Sequence, residues 1–212
     1  MVSVRLVESD KAITTKIYNA LAKEANKVLA KRADKVKSNI IPIVKTALLA
    51  SPAILSLGGG VLRFDFGLTG DPGPQIVDGV INSLHIRTQK ATVSGGSIKG
   101  GFTLYMQPSD YSNLLSLPVA MQALELEGSI PWLEWLLLVG DAIVIADWGV
   151  EYGAGFGRSG GAHMVEFPSK KARLGPFKVN TAYSGNVDNN FITKAIATVK
   201  APLHNAVMEA FK

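Results

Sequence analysis

Ser159 is the first residue whose type and setting suggest a nucleophile. Gly157-Arg158-Ser159-Gly160-Gly161 fits G-x-S-x-G, and Asp188 and His204 follow in the order serine, acid, histidine used by one class of hydrolases. That chemistry needs the serine on a sharp turn between a strand and a helix. Here His163-Met164-Val165-Glu166-Phe167 and Pro168 read as a strand and turn, His204 falls in an amphipathic helix, and no parallel βαβ series is evident. The same glycines also form Gly155-Phe156-Gly157-Arg158-Ser159-Gly160, a G-x-G-x-x-G match after an expected strand. A dinucleotide fingerprint must open a helix whose N-terminus holds the pyrophosphate, and this one does not. His85, His163 and His204 are too far apart to share a metal by spacing, and Gly95–Gly101 lacks the Gly-Lys-Ser/Thr ending of a phosphate loop. Asp141, Asp147 and Glu151 lie in or beside one expected strand with no partner set by spacing. With no cysteine, thiolate zinc, iron–sulfur and cysteine-nucleophile chemistry are excluded, as is a disulfide framework. The expectation is a chain that is not an enzyme and holds no cofactor or metal.

Charge is the stronger signal, and it is local. The 22 Lys and Arg exceed the 17 Asp and Glu by five over the whole chain. Residues 11–50 alone hold eight Lys and one Arg against Glu24 and Asp34, a net of +7, while residues 1–10 and 51–212 each come to −1. Lys27, Lys31, Arg32 and Lys35 are the contact candidates of this segment. Such density suits nucleic acid, an anionic membrane or an acidic protein surface, as well as a plainly solvated helix face.

The elements that would position these residues follow from periodicity. Apolar residues at Ile13, Ile17, Leu21, Ala25, Val28, Leu29, Val36 and Ile40 predict a long amphipathic helix with lysines on its other face, starting near Asp10 and ended or kinked by Pro42. The apolar run from Ile40 to Leu57 is interrupted by Pro42, Lys45 and Pro52 and meets Gly58-Gly59-Gly60, so it suits a buried helix pair better than a membrane span. Alternation from Val61 to Phe66 predicts a strand; Leu84–Thr92 and Gly101–Gln107 predict a hairpin about Ser94–Gly96. Ile130–Gly140 predicts a compact buried helix, with Trp132 and Trp135 three apart in its core face. Strands are expected over Ala142–Tyr152, His163–Phe167 and Pro176–Tyr183, and a C-terminal helix from Asp188, capped by Asp188 or Asn189 and kinked at Pro202. The fold class is α+β, a mixed and mainly antiparallel sheet with a long basic N-terminal helix and a C-terminal helix. Residues 1–57 form a helical segment and 58–212 the α+β core. At 212 residues and 47% apolar, the chain is long enough to bury its own core, and residues 1–10 carry no signal-peptide pattern.

Several segments together resemble the neck and tail-completion proteins of tailed bacteriophages. They are Gly100-Gly101-Phe102, Asp110-Tyr111-Ser112, Ile130-Pro131-Trp132-Leu133-Glu134-Trp135-Leu136-Leu137-Leu138 with Gly140-Asp141, Arg158-Ser159-Gly160, and Asp188-Asn189-Asn190-Phe191-Ile192-Thr193-Lys194-Ala195-Ile196. Where such proteins look to carry a tryptophan-containing Gly-x-Trp-x-Val-Pro segment, this chain has Gly175-Pro176-Phe177-Lys178-Val179-Asn180. The resemblance implies a virion subunit, assembled in the host cytoplasm, that closes a hexameric or dodecameric ring between the portal adaptor and the tail tube or sheath. Packaged DNA would be a passing contact, and no membrane is involved. The Gly153–Gly161 loop is a candidate arm bearing Phe156, Arg158 and Ser159, and Trp148 and Phe156 are candidate subunit contacts. Two other readings stay open: non-specific nucleic-acid binding through the basic helix, and a serine hydrolase using Ser159.

Overall fold

The structure, a computed structural model, describes residues 8–123, 129–139, 144–145, 148–153, 162–166 and 177–212. The fold is α+β. Among the described residues the strands form four two-stranded ladders rather than one continuous sheet. The chain divides into two compact units that interleave in sequence. The first comprises 1–40, 85–105 and 206–212, and the second 41–84 and 106–205.

The first unit is built on helix α1 (Asp10–Leu49), which supplies its residues up to Ile40. The hairpin of β1 (Leu84–Ser94) and β2 (Ser97–Met106) packs on this helix through Ala22, Leu29 and Ala91, with Ala25, Val93, Ile98 and Phe102 around them. Gly95 and Gly96 turn the hairpin with positive φ, as a two-residue loop requires. Asn26 ties helix to strand: its Nδ2 donates to the Ala91 carbonyl at 3.1 Å, and the Ala91 amide donates to its Oδ1 at 2.7 Å. Gly100 lies against the same residue, and a Cβ there would sit 2.7 Å from the Ala91 Cα. The last residues of the chain complete the unit: Asn39 donates to the Ala206 carbonyl, and the Phe102 and Phe211 rings lie 6.1 Å apart.

Pro42 does not end α1, which runs on to Leu49. Proline deletes the hydrogen bond to the Ser38 carbonyl, but Pro42 and Ser38 are both exposed, so that carbonyl is on the solvated side of the helix. The second unit begins at Ile41 with the last turns of α1. Helix α2 (Pro52–Gly59) starts at Ser51, whose hydroxyl accepts from the Ile54 amide, with proline at the first helical position. Next comes a correction. Val61–Phe66 is not a strand; Val61–Asp65 forms helix α3. Leu62, Asp65 and the capping Phe66 are buried, and the steps of three and four from Leu62 are helical; only the apolar types Leu62, Phe64 and Phe66 fall at period two, and Phe64 is exposed. The Ser56 hydroxyl accepts from the Leu62 amide at 3.0 Å, and Gly60 allows this close return because any Cβ there would lie 2.7 Å from that hydroxyl oxygen. Helix α4 (Gly73–Ser83) buries Ile76, Val77 and Val80 and opens where the Gly73 amide bonds the Asp71 carboxylate.

Beyond the hairpin come α5 (Ser112–Leu115), a 3₁₀ turn at Pro118–Ala120, and the antiparallel pair β3 (Gln122–Ala123) with β4 (Ser129–Ile130). The Ile130–Gly140 helix takes the form of α6 (Trp132–Glu134) continued by one π-helical turn, Trp135–Val139. Trp132, Leu133, Leu136 and Leu137 are fully buried, and Trp132 stacks on Phe66 at 5.6 Å. The strand expected over Ala142–Tyr152 is divided into β5 (Val144–Ile145) and β6 (Trp148–Tyr152). They pair antiparallel with β8 (Phe177–Lys178) and β7 (Ala162–Glu166), respectively. The C-terminal helix is two helices, α7 (Phe191–Thr198) and α8 (Lys200–Glu209). They part at Val199, while Pro202 sits in the first turn of α8, where its missing N–H costs nothing. The cap of α7 is Asn190 rather than Asp188 or Asn189: Asn190 and Thr193 form a reciprocal capping box.

Candidate functional site

Helix α1 carries two seams, the open one in alternating steps of three and four residues and the covered one in steps of three and four with one of seven. The covered seam holds Ala22, Ala25, Leu29, Val36 and Ile40. The open seam runs Ile17, Leu21, Glu24, Val28, Lys31, Lys35, apolar in its first half and basic in its second. Ile17, Leu21 and Val28 are 55%, 52% and 41% exposed. They belong to the apolar set expected to face the core, so the core accounts for only one of two apolar faces. Of the basic candidates, Lys27, Lys31 and Lys35 are exposed and Arg32 half-buried. Lys27 pairs with Glu24 at 2.9 Å; that hydrogen bond, then the charge of Lys27 and more weakly of Lys31 and Lys23, holds the Glu24 carboxyl below its ordinary range. With the exposed Arg87, Lys90 and Lys99 of the hairpin, the first unit totals 13 Lys and Arg against 5 Asp and Glu, a net of +8. The second has 9 against 12, a net of −3.

In the second unit an open, mainly apolar groove of about 740 Å³ runs between the end of α1, the start of α2 and α7. It is lined by Pro42, Ile43, Thr46, Ala47, Phe191 and Ala195 among others, and Lys194 is its one ionisable residue. Such a lining can hold aliphatic side chains but offers no acid–base pair.

Three of the segments singled out in the sequence meet in this unit. The Asn190 side chain accepts from the Ile192 and Thr193 amides and donates to the Tyr111 hydroxyl at 2.8 Å, and Tyr111 in turn donates to the Val187 carbonyl at 3.1 Å. Tyr111 has φ +60°, a left-handed conformation, and next to it the Ser112 amide, then its hydroxyl, lowers the Asp110 carboxyl below the usual range. Gly185 closes the junction: a Cβ there would lie 2.6 Å from Asn190 and 2.8 Å from the Leu136 carbonyl. Asn190, Tyr111 and the Trp132–Leu137 turn are thus all engaged in packing.

Asp188 and His204 are both exposed, and no hydrogen bond joins them. Phe156, Arg158 and Ser159, with the candidate arm from residue 154 to 161, lie outside the described residues, and Trp148 is described only as the first residue of β6. Among the described residues no group of three His, Asp or Glu could hold a metal ion. No single helix among them is long and apolar enough to cross a membrane. The Asn26 clamp was missed in the sequence, where asparagine inside an amphipathic helix lowers helix stability but does not point to Ala91, 65 positions on. No protein-family model, curated protein or solved structure matches the chain.

Proposed function

We propose that the chain is a structural virion protein of a tailed phage, a ring-forming neck or tail-completion subunit that joins head to tail. The observation that supports this reading is the engagement of the resemblance-bearing residues: among the described residues, Tyr111, Asn190, Trp132, Gly100 and Phe102 all hold backbone, core or strand contacts. A subunit whose work is to present surfaces has its side chains spent in this way, with its open faces left for neighbours. Its partners would be further copies of itself and the adjoining portal-adaptor and tail-tube or sheath proteins. The test is a phage lacking this chain, viewed by electron microscopy. Separate heads and tails, joined again when the chain is supplied in trans, are expected; intact particles without it would overturn the reading.

A second reading, non-specific nucleic-acid binding, is favoured by one observation, the exposed lysines of a unit carrying +8. It requires duplex DNA binding that weakens steeply with salt and with Lys27→Glu, Lys31→Glu and Lys35→Glu together.

A further inference from the structure

We propose that the outward face of the β1–β2 hairpin binds single-stranded nucleic acid, at a site separate from the lysines of α1. The inference goes beyond the neck reading and does not depend on it. Ala91, Val93, Ile98 and Phe102 pack with Ala22 and Leu29 of α1, so Thr103 and Tyr105, next in alternation after Phe102, share the opposite face. Two residues of β1 meet them there: Gln89 Nε2 donates to the Thr103 hydroxyl at 2.7 Å, and the His85 and Tyr105 rings lie 5.7 Å apart. Arg87 stands between His85 and Gln89, and Lys90, Thr92 and Lys99 extend the face toward the turn. All three cations are exposed, and Tyr105 is 40% exposed. No Asp or Glu occurs between Asp78 and Asp110, and among the described residues none of the three cations enters a salt bridge. The α1 lysines differ. Lys27 is paired with Glu24, and Lys31 and Lys35 lie on the open seam, on the side of the helix away from the hairpin.

Cations without carboxylates suit a phosphate backbone, and the rings choose its form. The bases of a duplex are stacked on one another and closed to a protein's rings, whereas those of a single strand are free to lie on aromatic faces. His85 and Tyr105 adjoin Arg87, so one strand can set a base on the rings and its phosphates over Arg87, Lys90 and Lys99. Gly101, between Lys99 and Thr103 on the same row, keeps the middle of the face low: nothing lies within 4 Å of where its Cβ would be, which lets a strand approach the backbone. An acidic peptide would meet the cations but has no flat base to place on the rings.

Fluorescence anisotropy of the full chain tests this with four labelled probes: oligo-dT, an abasic strand of equal length and charge, a duplex of equal length, and polyglutamate. Oligo-dT is expected to bind about tenfold or more tighter than each of the others, as one or two stacked bases would give. That comparison uses the natural chain and needs no variant to fold. Arg87→Gln, Lys90→Gln and Lys99→Gln together should weaken oligo-dT about tenfold or more and flatten its salt dependence. Tyr105→Ser should remove the preference over the abasic strand. Lys27→Gln, Lys31→Gln and Lys35→Gln together should change oligo-dT binding by less than about threefold at physiological salt, where charges across the helix are screened. No binding, an abasic strand or a duplex bound as tightly as oligo-dT, polyglutamate bound as tightly, or a loss that follows the α1 variant instead of the hairpin variant would each overturn the inference. The neck reading is decided separately by the phage assay, so either can fail without the other.

Discussion

The two units hold their polar groups differently. In the second, Asn190, Tyr111, Ser56 and Arg63 all bond backbone or one another inside the unit, and Trp132 and the leucines beside it are fully covered. In the first, one helix face is tied down by Asn26 and the Ala22–Leu29–Ala91 cluster, and the other displays an apolar ridge and a row of lysines. The contrast separates residues that maintain a fold from residues available to a neighbour. Tyr111, Asn190 and Trp132 belong to the first kind.

The largest effect that would sharpen this contrast is Trp132→Ala. Removing a fully buried indole stacked on Phe66 should cost about 3–5 kcal/mol in denaturant unfolding. Hydrogen exchange should quicken mainly at 41–84 and 106–205; equal acceleration throughout would break the comparison. Asn190→Ala should cost about 1–3 kcal/mol, because it removes a cap, abolishes the bond to Tyr111 and leaves buried amides unpaired. In the first unit, Gly100→Val forces a branched side chain against Ala91 and should cost about 1–3 kcal/mol, with hairpin amides exchanging first. Ile17→Ser, Leu21→Ser and Val28→Ser on the open seam should each move stability by less than about 0.5 kcal/mol, and a seam variant that unfolds the chain would erase the distinction. The smallest effect concerns pH. Asp110 is held below its unfolded value by Ser112, so its stabilising contribution is present above that value and fades as pH falls through the folded one. Asp110→Asn should flatten that part of the acid limb of unfolding, and an unchanged limb would remove the carboxylate from the account.

Long-period features were legible in the sequence. The course of α1 from Asp10 to Ile40, the hairpin about Gly95–Gly96 and the buried Trp132 turn all followed from periodicity and turn chemistry, because each repeats its signal or ends in glycine or proline. Short features were not. Six residues at Val61–Phe66 satisfy both periods, and the choice was made by Ser56, whose hydroxyl caps a helix from six residues back. The Asn190 cap was misplaced by one or two residues because Asp188, Asn189 and Asn190 are all good capping types, and only Asn190 meets Tyr111 from 79 residues away. Pro42 misled because its cost depends on whether the abandoned carbonyl is solvated. Of the candidate surface, the lysines of α1 were plain from composition. The open apolar seam was not, since periodicity cannot tell one wide apolar face from two narrow ones. The groove joins residues some 140 positions apart and left no local pattern.

The most direct test of the central claim is the mass of the full chain by light scattering, alone and then with virion particles or neighbouring neck proteins. A chain that presents surfaces for assembly should form a closed hexameric or dodecameric species, or assemble on the particle. A strict 22.5 kDa monomer that never joins a particle would contradict it.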